Sequence, residues 1–167
     1  MVVGVTTLGG RSHRGAGSVI FRRAAPEDLV AIVALLADDP IGRGRESPGS
    51  QPDPCYRDAF AAIERDPNQL LAVAERGGDV IGVLQLSFIP GLTRRGMGRG
   101  QIEGVRVASS QRAGGIGRAM LEWAIEECRR RGCGLVQLTS DKRRADAHRF
   151  YESLGFEATH QGYKLSL

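Results

Sequence analysis

The sequence predicts a mixed α/β fold in one domain, and three observations carry that reading. The chain has 167 residues, about one domain at roughly 150 residues each. Segments with strand composition alternate with segments of helical apolar spacing. Turn chemistry then joins three consecutive strands into an antiparallel meander. Apolar residues make up 41% and charged residues 25%, the balance of a folded globular protein rather than a disordered one. No apolar run approaches the about 18 residues of a membrane-spanning helix, so no membrane partner is expected. Aromatics are only 5%, which argues against a stacking platform for single-stranded nucleic acid.

Residues 1–18 carry five glycines and no sustained apolar run; they read as a loose tail, not a secretory leader, and the domain as residues 19–167. Val19, Ile20 and Phe21 open the first strand. Pro26 suits a first helical position, and Glu27 and Asp28 complement the helix dipole. Leu29, Ile32, Val33 and Leu36 give this helix its apolar face, and Asp39-Pro40 ends it. Residues 41–54 read as a loop. Tyr56, Phe60 and Ile63 mark a second helix, closed by Asp66-Pro67. Strands at 70–75 and 80–88 flank the hairpin turn Arg76-Gly77-Gly78-Asp79. Residues 90–100 form a glycine- and arginine-rich loop before a fourth strand, 101–108. Ile116, Met120, Trp123, Ala124 and Cys128 form the stripe of a long helix, with Arg129, Arg130 and Arg131 in its last turn and Gly132 after it. A fifth strand follows at 135–139. Ala147, Phe150, Tyr151 and Leu154 define a last helix stopped by Gly155, and 156–167 reads as two short strands joined near Gln161-Gly162.

The net charge is +4, and only Lys142 and Lys164 of the 23 basic residues are lysines, leaving 21 arginines. Four net charges are too few to predict a nucleic-acid partner. Cys55, Cys128 and Cys133 cannot form an even disulfide framework. Cys128 and Cys133 lack metal-ligand spacing, and His13, His148 and His160 stand far apart, so no metal site is expected. Together these features predict a cytoplasmic bacterial protein.

The segment richest in chemistry is Val105-Arg106-Val107-Ala108-Ser109-Ser110-Gln111-Arg112-Ala113-Gly114-Gly115-Ile116-Gly117. A strand runs into a glycine-rich turn that opens a helix. Unpaired N–H groups there, with the helix dipole behind them, suit a pyrophosphate. The dinucleotide fingerprint is absent, since Met120 stands where its third glycine belongs, and so is the Walker pattern. Arg112-x-x-Gly115-x-Gly117 instead matches an arginine/glutamine-x-x-glycine-x-glycine/alanine signature. About 30 residues later comes Asp146-Ala147-His148-Arg149-Phe150-Tyr151-Glu152-Ser153-Leu154-Gly155-Phe156.

With the element order, these motifs resemble the GCN5-related N-acetyltransferase (GNAT) superfamily over about residues 19–167. The stretch 139–156 is similar to bacterial aminoalkylphosphonate N-acetyltransferases and their relatives. The resemblance implies a twisted, largely antiparallel sheet with helices on both faces and a V-shaped split between the fourth and fifth strands. It implies acetyl-coenzyme A as cosubstrate, held by the backbone of Val105 and Val107. Arg112, Ala113, Gly114, Gly115, Ile116, Gly117 and Arg118 would wrap its pyrophosphate. Arg144 stands where many family members carry an asparagine and is expected at a phosphate. A homodimer is the family-level expectation.

Acetyl transfer to an amine needs a base, a stabilised oxyanion and a proton for the leaving thiolate. Alternation puts Glu103, Val105 and Val107 on one strand face, away from Ile102. Gly104 suits a bulge that re-aims a side chain. Glu103 is the candidate base, acting through water, against a reading as a solvated glutamate. Tyr151 matches the family tyrosine that protonates the thiolate, against a reading as a core aromatic. His148 and Cys133 read as structural.

The expected reaction is acetylation of a primary amine on a small molecule. Protein or peptide acetylation and a non-catalytic acyl-coenzyme A sensor are the alternatives. Arg94, Arg95 and Arg99 favour an amine bearing an anionic group. An aminoglycoside-like polycation is the opposite reading, with Asp38, Asp39, Glu46 and Asp53 as its acidic pocket.

Overall fold

The computed structural model describes residues 6–7, 17–39 and 44–167. Six strands form one sheet in chain order: β1 (Thr6–Thr7), β2 (Val19–Arg23), β3 (Gln69–Arg76), β4 (Asp79–Ile89), β5 (Arg99–Val107) and β6 (Leu135–Leu138). Neighbours are antiparallel through β5, and β6 joins β5 in parallel. Thr6 and Thr7, expected in a loose tail, pair with Phe21 and Ile20, because β2 otherwise offers an open row of backbone donors and acceptors. The helices are α1 (Leu29–Ala37), α2 (Pro54–Arg65), the single turn α3 (Thr93–Gly96), α4 (Ile116–Arg130) and α5 (Ala145–Glu152).

Each sheet face buries its own apolar cluster. Leu84, Leu86, Phe88 and Ile102 pack against Ile116, Met120, Leu121 and Trp123 of α4. Val73 and Val83, on the other face, pack against Leu29, Ile32, Val33 and Leu35 of α1 and Phe60 of α2. The entry to α1 is pinned by Asp28, buried at 6% exposure. Its carboxylate accepts from the Ala25 N–H at 2.7 Å and from both ends of the Arg22 guanidinium at 2.6 and 2.9 Å. The Arg22 hydrogen bonds hold its carboxyl below the usual carboxylate range.

Two close contacts lock α4 onto the sheet. A Cβ on Gly100 would stand 2.3 Å from Cys128 Sγ, and one on Gly82 would stand 2.7 Å from Met120 Sδ. Glycine lets the helix sit directly on β4 and β5. Burial pushes the Cys128 thiol up to about 12, so Cys128 is a core residue, not a nucleophile.

β5 carries a bulge. Gln85 pairs with Glu103 and Val83 with Arg106, so Leu84 alone spans Gly104 and Val105. Gly104 takes the left-handed φ of 61° that this requires. The bulge overturns the expected facing. Val105 and Val107 pack on the α4 side with Ile102, whereas Glu103 lies opposite Gln85 on the other side.

β6 pairs with β5 only from Arg99↔Leu135 to Ile102↔Leu138. Beyond Ile102 the strands part, and residues 103–107 of β5 face an opening, the expected split.

The two C-terminal strands are not formed: residues 156–167 hold no strand. Tyr163, Leu165 and Leu167 are exposed. Their alternation is a strand pattern, but a strand needs a partner, and this segment pairs with none.

Candidate active site

The split exposes Glu103 beside the bulge and leads to a 3-10 turn, Ser109–Gly114, and then to α4. Gly115 caps α4 in the left-handed region with φ 73°. Ala119 N–H reaches the Gly115 carbonyl at 3.1 Å. The N–H groups of Ile116, Gly117 and Arg118 precede the first possible intrahelical bond. No side chain caps this end, and its first turn holds no acid. Such an N-terminus attracts an anion. A Cβ on Gly117 would meet Phe150 and Val107 only at 3.6 and 3.8 Å, ordinary contact distances, so packing within the chain does not demand glycine there.

Each of the three arginines expected around the anion also has a partner within the chain. Arg112 donates to the Val107 carbonyl at 3.1 Å and to the Asp38 carbonyl and carboxylate at 2.8 and 3.2 Å. Arg118 donates to Ser153 Oγ at 2.8 Å and pairs with Glu122 at 3.6 Å. Arg144 donates to the Asp39 carboxylate. The first N–H groups of α4 stand beside these arginines.

Asp39 is the residue that sequence reasoning missed. It is buried at 3% exposure and also accepts from Arg106 Nη2 at 2.7 Å. Sequence reading treated it as a helix stop and as one wall of an acidic pocket, not as the buried partner of two arginines. A signal was present: Asp38 and Asp39 put two negative charges at the end of α1, where the dipole is already unfavourable to them. Such acids need cations, and Arg106, Arg112 and Arg144 supply them.

Tyr151 lies half-buried on α5, 5.5 Å from the Phe150 ring and 6.0 Å edge-on to Phe156. Burial raises its phenol, while the positive charges of Arg106 and Arg144 pull the other way; the net direction is up. Among the described residues no protein group hydrogen-bonds its hydroxyl. His148 is not part of the site: its Nε2 lies 3.0 Å from the Asp141 carbonyl and braces the turn before α5.

The arrangement combines an uncapped helix N-terminus, a split between parallel strands, an exposed carboxylate and a half-buried phenol. Residues 27–156 match the model of the acetyltransferase (GNAT) family. The chain belongs to that family, acetyltransferases whose cosubstrate is acetyl-coenzyme A. The uncapped start of α4 fits the pyrophosphate of that molecule. Aminoalkylphosphonate N-acetyltransferase of Salmonella typhimurium is 37% identical over 105 residues, 63% of this chain and 68% of the relative. Glucosamine 6-phosphate N-acetyltransferase of Trypanosoma brucei brucei is 37% identical over 90 residues, 54% of this chain and 59% of that protein. A solved transcriptional regulator from Bacillus halodurans is 47% identical with a TM-score of 0.87, covering 89% of this chain and 99% of its own. Among the described residues no helix is long and apolar enough to cross a membrane.

Proposed function

We propose that the chain acetylates the primary amine of a small molecule that also carries a phosphate or phosphonate group. The observation that carries this reading is the parting of β5 from β6 after Ile102, one residue before Glu103 and the bulge. Glu103, exposed beside that opening, takes the amine's proton through a water. The backbone of Val105 and Val107 holds the acetyl carbonyl and the pantetheine amides. The turn from Arg112 to Arg118 holds the pyrophosphate through its N–H groups. As the C–N bond forms and the C–S bond breaks, the Tyr151 hydroxyl gives its proton to the departing thiolate. Burial that keeps the phenol protonated supports that role.

The anionic group of the acceptor is assigned to Arg99. It shares a strand face with Gln101 and Glu103 by alternation, and no carboxylate among the described residues pairs with it. Two relatives are named for a phosphonate-bearing and a phosphate-bearing amine. Arg94 and Arg95 are exposed in the α3 turn, at the closed end of the β5–β6 pair. A polycationic acceptor finds less support, because Asp38 and Asp39 are already paired with arginines and Glu46 takes the Tyr56 hydroxyl at 2.9 Å.

Thiol release from acetyl-coenzyme A over a panel of size-matched amines tests this. Anionic amines are expected to give the highest kcat/KM, and Glu103→Gln to lower kcat by roughly 10²-fold. Preference for a polycation would refute the acceptor assignment. The Bacillus halodurans protein's name favours a second reading, a sensor that binds acetyl-coenzyme A; it predicts binding with no thiol release on any amine.

A further inference from the structure

We propose that Asp39 is a positioning residue for the reaction, holding the guanidiniums of Arg106 and Arg144 beside the Tyr151 hydroxyl so that it can give up its proton. This rests on the acetyltransferase reading with Tyr151 as proton donor, and adds a residue that acts through its neighbours. Asp39 follows α1 and is buried at 3% exposure. Arg106 Nη2 donates to its Oδ2 at 2.7 Å, and Arg144 Nη2 donates to the same oxygen. One carboxylate oxygen thus gathers two guanidiniums from different elements, β5 and the residue before α5. Tyr151 stands seven residues after Arg144, two helical turns on and on the same face of α5. Side chains on a helix lean toward its N-terminus, so the phenol leans toward Arg144.

Proton transfer breaks the Tyr151 O–H bond and forms the S–H bond of coenzyme A. It leaves a phenolate, which regains a proton from water after the thiol departs. Burial disfavours that phenolate and keeps the proton on Tyr151, while the positive charges of Arg106 and Arg144 favour it. Two like charges do not stay together unaided, and a long arginine side chain loses rotamer freedom when it is held in one place. Asp39 counters both effects. Two guanidiniums share one carboxylate, so the three groups carry one positive charge in sum. Asp38 and Arg112, nearby, pair with each other and add none. A purely structural ion pair would need only one cation; the second leaves a surplus of positive charge that a phenolate can use.

The test is a double-mutant cycle on kcat in the full chain, read by thiol release at saturating acetyl-coenzyme A with 2-aminoethyl phosphate as acceptor. Asp39→Asn keeps the shape and one accepting oxygen but removes the charge. It is expected to lower kcat about 10-fold in the wild-type background and less than about 2-fold in Tyr151→Phe, because residues that act as a unit are not additive. Its KM for acetyl-coenzyme A should stay within about 2-fold of the wild-type value. A residue that only holds the fold would lower kcat equally in both backgrounds. Arg144→Gln, at a side chain 30% exposed, goes through the same cycle with the same expectation for kcat, so the test stands if Asp39→Asn protein does not fold. Equal losses in the two backgrounds, or an unchanged or higher kcat in either single variant, overturn this inference alone. A wild-type kcat in Tyr151→Phe overturns the proton-donor role and this inference with it, but not the acetyltransferase reading. No thiol release from wild-type protein that binds acetyl-coenzyme A overturns that reading as well.

Discussion

Arg106 on β5 donates to the carboxylate of Asp39 at 2.7 Å, joining residues 67 positions apart in the chain. Arg144, at the start of α5, donates to the same carboxylate. One buried acid thus ties the end of α1, the bulged end of β5 and the start of α5 together, and its two guanidinium partners act on the Tyr151 phenol. Removing one member of such a buried set leaves charges without partners, at a cost of about 3 kcal/mol. Asp39→Ala should lower the urea midpoint accordingly at an unchanged m-value. A loss below about 0.5 kcal/mol would show that the cluster is not holding these elements together.

The start of α4 gives the cofactor prediction. Gly115→Asp adds a Cβ at φ 73° and a negative charge where N–H groups await an anion. Acetyl-coenzyme A binding should fall below detection by calorimetry. Gly115→Ala adds only the strain of a left-handed alanine, about 1–2 kcal/mol, and should retain measurable binding. Unaltered affinity in folded Gly115→Asp protein would remove the pyrophosphate from this turn.

The pH dependence follows from the raised phenol of Tyr151. A raised value means that the protonated, donating form persists to higher pH than in a free tyrosine, past about pH 10. The kcat profile should therefore show no alkaline fall from this group through pH 9. Tyr151→Phe should lower kcat by roughly 10²-fold at every pH in that range. A fall centred near pH 8 that vanishes in Tyr151→Phe would contradict this account.

Gly100→Ala tests how tightly α4 is seated. The added methyl would stand 2.3 Å from Cys128 Sγ, so helix or strand must shift, at about 1–3 kcal/mol. Cys128→Ala costs stability alone but should recover part of the loss in the double variant. Additive losses, measured by urea denaturation, would mean that the two residues do not meet.

Much of the fold was legible because its elements announce themselves locally. The apolar spacing of α1 and α4, the Gly77-Gly78 hairpin and the glycine-rich turn before Ile116 all depend on neighbours in sequence. What could not be read depends on partners far away. Asp39 looks like a helix stop or an open acidic wall until Arg106 and Arg144 fold against it. Arg112, Arg118 and Arg144 read as phosphate ligands alone, and nothing local announces that Asp38, Ser153 and Asp39 also hold them. Tyr163, Leu165 and Leu167 alternate like a strand, but alternation does not reveal whether an edge is available to pair with.

The single extra residue at Gly104 sets the parity of β5. With strict alternation, the guanidinium of Arg106 would be driven among Leu84 and Met120, and Val105 and Val107 would turn toward the side that carries Gln85 and Gln101. The insertion exchanges odd for even, so that an acid and a cation share one side while two valines seal the other. Deleting one residue here would invert every side chain on one flank of the strand while barely altering composition or hydropathy. Chains that differ by such a one-residue gap in β5 should therefore be expected to differ in chemistry, however closely the rest of their sequences agree.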